Sequence, residues 1–471
     1  MALSLRFDQR AELVELNRQE YGATYADLPF LSGESNLLAM RRRSELLGLL
    51  EDRVKTGCGG SKLDMRDLAP GCRICIAGDW SCLFVNGRCN AHCFYCPSRQ
   101  DQTGLPTTNR LTFCSTVDYV AYLEQFGFRG MSLSGGEPLL TPGRCLAFLS
   151  AAKHRFGSQL HAWMYTNGTR IDREMLLRLV DAGLDELRFD IGAVNYGLDK
   201  ARLAVGVVPT VTVEIPAVPE DRQQLMLAMV EMADAGINYL NLHQLRLTPY
   251  NSSRFAGRPY TYLHGEKVTV LESELLALEM IHYSYQKNLG LPVNYCSFVY
   301  KNRYQRAAAR RRSGLLMRKP YEALTSAGYL RTLALSGPEP HVQRILAHLR
   351  RLNQDPNLWA PGQTLQRIYV SPESCLLCDL TGVDLIVSYS ECTIRDSVSY
   401  RHPFKEIKLP SGRKAVVERR AVTEVTLSGE GVGEFICHFL QHAANGLPSK
   451  DRQISGLLAY ESVGEGLQDY F

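Results

Sequence analysis

The sequence predicts an α/β protein built on a full or partial (β/α) barrel, with a helical N-terminal extension and a small β-rich C-terminal domain. Three observations predict it. Six short apolar runs recur at roughly 25–30-residue spacing between about residues 80 and 245, each followed by a crossover, as parallel βα units require. Residues 1–56 carry apolar residues at helical spacing, through Leu13–Leu16 and Leu46–Leu50. Beyond Leu365 the chain turns to strand-like runs, RIYV, VDLIVSY and KAVVERRAVTEVTL, with LPSGR at 409–413 as a turn between two of them.

Each element has a local reason. Residues 57–79 are rich in Gly and Cys and read as irregular. A strand over about 81–85 leads into a cysteine cluster. Ser115-Thr116 caps a helix with Tyr119, Val120, Leu123 and Phe126 on one face, and Gly127 ends it. A strand over 130–134 follows, then a helix begun by Thr141-Pro142 and ended by Gly157. The strand 161–166, the helix 172–182 and the strand 186–191 come next, then a strand over 211–218. The helix 222–235 sets Leu225, Ala228, Met229 and Met232 on its apolar face, and the strand 239–245 completes the set. In such a barrel, chemistry sits at the C-terminal strand ends. Residues 248–272 read as an insertion rich in Tyr, Gly and Ser, followed by a helix over 274–287, a short strand over 292–296 and a long basic helix from about 299. The expected division is a helical extension with a Cys-rich linker (1–79), a barrel core (80–300), a helical connector (301–362) and a β-rich domain (363–471).

With 471 residues, 45% hydrophobic and 22% charged, the composition is that of a globular protein. A net charge of +4 is too small to argue for nucleic acid. No run of about 18 apolar residues occurs, so no membrane span is expected. The N-terminus lacks the apolar run and cleavage site of a signal peptide, so the expected location is cytoplasmic.

Cysteine is the unusual feature: 14 in all, seven of them between Cys58 and Cys96. In a large chain without a signal peptide this density points to metal rather than disulfides. NGRCNAHCFYCPS spaces Cys89, Cys93 and Cys96 so that three thiolates can hold three irons of a [4Fe–4S] cubane. The fourth iron then has no ligand from the motif and can chelate the amine and carboxylate of a small molecule. A structural zinc site or a closed electron-transfer cluster are the alternatives.

This spacing, with the aromatic Tyr95 just before the last cysteine, resembles the signature of the radical S-adenosylmethionine (radical SAM) superfamily. Further positions strengthen the resemblance. The second barrel strand ends in Gly135-Gly136-Glu137-Pro138, and the family's equivalent segment binds the methionine amino group. The next strand ends in Thr166 and Asn167, where the family sets polar groups near the ligand. Arg188 and Asp190, on the fourth strand, match positions that often contact ribose or the methionine carboxylate; a barrel-interior ion pair is the other reading. The resemblance covers about residues 80–245. Through GCRICIAGDWSCLFVNGRCNAHCFYCP, YLNLHQLRLTPYN, LPVNYCSFVYKNRYQRAAARRR and the β tail, the whole chain is similar to a group of radical proteins related to pyruvate formate-lyase activating enzyme, whose label implies no substrate. The resemblance implies a [4Fe–4S] cluster, S-adenosylmethionine as cofactor, and reductive cleavage to a 5′-deoxyadenosyl radical that abstracts hydrogen from a small molecule, peptide or RNA. It also implies a reductant such as flavodoxin or ferredoxin. The rival is an iron–sulfur or zinc protein that binds RNA or a protein partner without turnover.

Cys72-x2-Cys75 precedes the main motif and is expected at the barrel rim, away from the C-terminal mouth. With Cys296 and one more ligand it is a candidate second cluster or zinc site; buried free thiols are the alternative. Cys375-x2-Cys378 in the tail is a weaker pair. Residues 301–319 hold eight basic and no acidic residues, either a phosphate- or RNA-binding stretch or a solvated helix face. His243 and Gln244 face either the substrate or the core.

Overall fold

A computed structural model describes residues 7–352, 355–441 and 452–471; the chain divides into one unit of residues up to 108, 112–305 and 465–471, and a second of 109–111 and 306–464. In the first unit, parallel strands pair in chain order: β1 (Trp80–Arg88), β2 (Gly130–Gly135), β3 (His161–Thr166), β4 (Glu186–Phe189), β5 (Thr210–Pro216), β6 (Tyr239–His243) and β7 (Val293–Cys296). Antiparallel pairs stand at both ends of this run, Lys62–Leu63 against β7 and Thr107–Thr108 against β1, so the barrel is partial.

The strands alternate as a barrel wall must. Leu83, Val85, Met131, Leu133, Met164, Leu187, Val213, Leu240 and Leu242 are wholly buried and form the apolar layer toward the crossover helices. Residues between them carry a polar lumen: Glu186, Arg188, Thr212, Glu214, Asn241 and His243 bond one another across neighbouring strands. Two crossover helices start as their sequences dictate. Ser115 accepts from the Val117 N–H and Asp172 from the Met175 N–H. The N-terminal extension supplies α1 (Phe7–Tyr21) and α2 (Gly33–Leu50) and shares the barrel's unit. Residues 1–6 and 442–451 of the expected divisions lie outside the described residues.

Three expectations are corrected. Residues 57–79 contain a helix, α3 (Pro70–Ala77), with proline at its first turn and Gly78 closing it at φ 71°. Helix α3 packs against the start of β4: the Gly71 N–H donates to Glu186, the first residue of that strand, at 2.9 Å, and a Cβ on Gly71 would meet Arg188 at 2.5 Å. Residues 301–362 are not a helical connector. Leu330–Ser336 within them is an interior strand of the second unit's antiparallel sheet, which runs Trp359–Pro361, Arg367–Val370, Leu330–Ser336, Asp384–Arg395, Lys414–Leu427, Phe404–Lys408. Leu330 through Leu335 are buried on both faces, which erases the alternation that marks a strand. Finally, the β-rich domain does not extend to residue 471, because 465–471 belong to the first unit. There the Tyr470 hydroxyl donates to Glu274 at 2.7 Å, and Arg43 donates to the Gln468 carbonyl at 2.6 Å. Among the described residues, no helix is long and apolar enough to cross a membrane.

Candidate cluster and cofactor site

β1 carries the cysteine loop to the C-terminal edge of the sheet. The Cys89 N–H donates to the Gln100 carbonyl and the Cys96 N–H to the Cys93 carbonyl, both at 3.1 Å. The three thiols lie within electrostatic reach of one another. Burial raises all three, that of Cys93 to about 12, so a metal must displace their protons to use them. Their polar neighbours are weak ones: Ala91 N–H at 3.4 Å and Asn167 Nδ2 at 3.8 Å from Cys89, and the Ser98 carbonyl at 3.4 Å from Cys96. Three sulfur donors on one short loop fit three irons of a cubane.

The loop is held from below by glycines. Gly135 adopts φ +126°, and a Cβ there would stand 2.1 Å from the Asn86 carbonyl oxygen; a Cβ on Gly136 would stand 2.1 Å from that of Arg88. The Gly136 N–H donates to Asn86 at 2.9 Å and the Glu137 N–H to Arg88 at 2.8 Å. What these glycines approach is therefore the backbone leading into Cys89.

Glu137 is 1% exposed. Its Oε1 accepts from the Leu139 N–H (3.0 Å) and Thr166 hydroxyl (2.9 Å), and its Oε2 from the Asn167 N–H (2.7 Å). Two lone pairs on each oxygen leave one acceptor position on Oε2. Burial raises its carboxyl while these donors oppose the rise. Pro138 opens the short 3₁₀ turn that Glu137 caps. Asn167 donates to Asn90 at 2.9 Å, tying the end of β3 to the cysteine loop. Asp190, just past β4, accepts from the Tyr95 hydroxyl at 2.9 Å, and burial pushes its carboxyl up to about 6.

Arg188 lies deeper. It is 3% exposed and donates to Glu186 at 2.7 Å and Glu214 at 2.6 Å, an interior ion pair that leaves its Nη2 without a hydrogen-bond partner among the described residues. Glu214 also receives His243 at 2.6 Å; against its burial, Arg188 and His243 hold it well below the usual carboxylate range. Gln244 is turned to the core, near the Val270 carbonyl and the Phe298 N–H.

Sequence reasoning missed the grip of the 248–272 insertion. Asn251 donates to the Tyr95 carbonyl at 3.2 Å, Thr248 to that of Pro97 at 3.4 Å and Arg254 to that of Cys93 at 3.4 Å, while the Arg258 guanidinium stacks 3.6 Å over the Phe94 ring. The TPYN turn directly after β6 was the available signal. Glu214 was missed too, as one acidic residue in an apolar strand.

Cys72 and Cys75 on α3 meet Cys296 at the end of β7 around the buried Lys62, whose Nζ donates to Cys296 at 2.6 Å. Against burial, Lys62 and then His243 hold the Cys296 thiol down to about 5. Cys375 is buried and Cys378 half-buried, desolvation raises both thiols, and Cys378 bonds the Ser374 carbonyl. The basic stretch is mixed: Arg303 pairs with Glu266 and Arg310 donates to the Ala327 carbonyl, while Arg306, Arg311, Arg318 and Lys319 are exposed. Among the described residues, no three His, Cys, Asp or Glu side chains converge as the ligands of a single ion do.

Residues 83–205 match the family model described as the radical SAM superfamily. A protein of Methanocaldococcus jannaschii named as a candidate glycyl-radical enzyme activating enzyme is 28% identical over 276 residues, 56% of this chain and 72% of that protein. The GTP 3',8-cyclase of Nitrobacter winogradskyi is 29% identical over 197 residues, 34% of this chain and 57% of the cyclase. Among solved structures, Streptococcus suis SuiB bound to S-adenosylmethionine aligns with a TM-score of 0.32 and 12% identity, over 62% of this chain and 61% of SuiB.

Proposed function

This chain is a radical SAM enzyme related to activating enzymes of glycyl-radical enzymes, and from that premise we propose that Cys89, Cys93 and Cys96 hold a [4Fe–4S] cluster supplying the electron for reductive cleavage of S-adenosylmethionine. The observation that carries this is three cysteines on one short loop, gripped by the Gly135-Gly136 backbone on one side and by Asn251 and Arg254 on the other. The open acceptor position on Glu137 suits an ammonium, and Asn167 and the buried Asp190 stand beside the same loop as further polar contacts for the cofactor. Tyr95 donates to Asp190 and so orients its carboxylate. Arg188 balances the lumen charge between Glu186 and Glu214, and its Nη2, unpartnered among the described residues, is available for a further polar contact.

The proposed reaction abstracts hydrogen from a substrate C–H bond, with a small reductase such as flavodoxin or ferredoxin as electron donor. The relatives' names make a glycyl residue of a partner protein and a nucleotide the first substrates to test. A second metal site through Cys72, Cys75 and Cys296 belongs to the same reading, supported by their meeting around Lys62. The test is direct. Anaerobically reconstituted chain with dithionite is expected to form 5′-deoxyadenosine, and replacing Cys89, Cys93 and Cys96 by alanine to abolish it; a variant that cleaves at the wild-type rate refutes the proposal.

A further inference from the structure

We infer that Cys58, Cys72, Cys75 and Cys296 together bind a second iron–sulfur cluster in the barrel lumen, closed by four thiolates and therefore an electron carrier rather than a substrate site. It deepens the second-site part of the proposed function by naming the fourth ligand and the species held.

The four cysteines come from three separate segments. Cys58 sits in the turn before Lys62–Leu63, Cys72 and Cys75 are one turn apart on α3, and Cys296 ends β7. Lys62 pairs in register with Cys296, and its ammonium, buried with the residue at 1% exposure, lies in the field of Cys296, Cys72 and Cys75 and itself acts on Cys58. No carboxylate salt bridge holds this ammonium among the described residues. Its Nζ donates to the Cys296 sulfur at 2.6 Å and lies 4.9 Å from the Tyr300 ring, so a cysteine sulfur is the polar partner the fold gives it.

The sulfurs are also supplied with donors. Asn241 donates to Cys72 at 3.2 Å, Gln305 to Cys75 at 2.8 Å and Asn294 to Cys296 at 3.5 Å, and the Tyr300 hydroxyl lies 3.3 Å from Cys75. Asn241 also donates to Glu214 at 3.0 Å and Asn294 to Asn241 at 3.1 Å, whereas Gln305 and Tyr300 are aimed at the Cys75 sulfur, a weak acceptor when neutral. Aimed at cluster thiolates, they are the hydrogen bonds that tune such centres. Four thiolates around an iron–sulfur core leave excess negative charge, which Lys62 offsets. With every iron ligated, no position is left for a substrate atom, in contrast to the three-cysteine loop at 89–96.

The experiment uses the full chain, anaerobically reconstituted, with iron and zinc analysis, Mössbauer spectra and EPR after dithionite, with and without S-adenosylmethionine. Wild type is expected to hold about eight irons, and the C89A/C93A/C96A variant about four, with a reduced signal that S-adenosylmethionine does not alter. Cys58→Ala is expected to lose or change that same signal. About one zinc in the triple variant, or no metal in it, overturns the inference; so does a Cys58→Ala chain whose cofactor-insensitive signal and iron are unchanged. Should the triple variant not fold, a second, cofactor-insensitive signal in wild type supports the inference and its absence overturns it. Wild type with only a cofactor-insensitive cluster of about four irons would instead defeat the proposed function and leave this inference standing.

Discussion

Gly136→Ala isolates one packing contact from the rest of the site. Gly136 is not among the glycines with positive φ, so an alanine backbone is permitted there and only space is at issue. The added Cβ would stand 2.1 Å from the Arg88 carbonyl oxygen and 2.9 Å from the Cys89 nitrogen. Neither is the end of a flexible side chain, so β1 and β2 must part by about 1 Å to restore contact distance. That movement strains the bonds from the Gly136 and Glu137 N–H groups, each worth about 1 kcal/mol net, in addition to about 1–3 kcal/mol of overpacking. The expected loss is about 3–5 kcal/mol, a fall in melting temperature of roughly 10 °C at this size. Because Cys89 is one of the crowded residues, iron retained after anaerobic desalting should fall as well. Gly143→Ala is the control: in the helix Pro142–Phe156 a Cβ meets nothing within 4 Å, so a gain of about 0.5–1 kcal/mol is expected. Calorimetry and iron analysis decide. If Gly136→Ala melts within about 1 °C of wild type with full iron, the close approach of these strands does not hold the cluster loop.

Arg188→Met removes the cation between Glu186 and Glu214 and should cost about 3–5 kcal/mol in urea denaturation, because two buried carboxylates lose their partner; weaker S-adenosylmethionine binding at unchanged stability would instead make Arg188 a cofactor ligand. His264 stacks 3.9 Å from Phe30, and burial, then Arg18, lowers its pKa from 6.5 to about 4. The folded chain therefore takes up this proton later than the unfolded chain, so its stability is full above pH 6.5 and falls by about 2–3 kcal/mol as pH drops toward 4. His264→Gln should flatten that part of the pH profile of the urea midpoint, and an unchanged slope would show that another group titrates.

The barrel was readable because its signals are local. Ser115 and Asp172 cap helices, and strands 130–135, 161–166 and 239–243 are short apolar runs closed by turns. The radical SAM superfamily was equally legible in the cysteine spacing. What escaped was non-local. The α3 helix hides behind Gly and Cys because its contacts with the start of β4, not an amphipathic pattern, hold it. Leu330–Ser336 is buried on both faces and so carries no period of two. Glu214 and the Asn251 grip acquire meaning only when β4, β6 and the cysteine loop stand next to them. Arg188 illustrates the same limit: its place on the strand was legible, but only the fold supplies the two carboxylates beside it.

Residues 465–471 return to the first unit after residues 306–464, the main part of the second unit, have been traversed. A ribosome adding about 5–20 residues per second needs roughly 10–30 seconds to cover that stretch. During this interval the barrel lacks the Tyr470 and Gln468 bonds to Glu274, Arg43 and Thr269. Until then α2 lacks the bonds of Asn36 and Arg43 to this segment, so the N-terminal extension is fastened last.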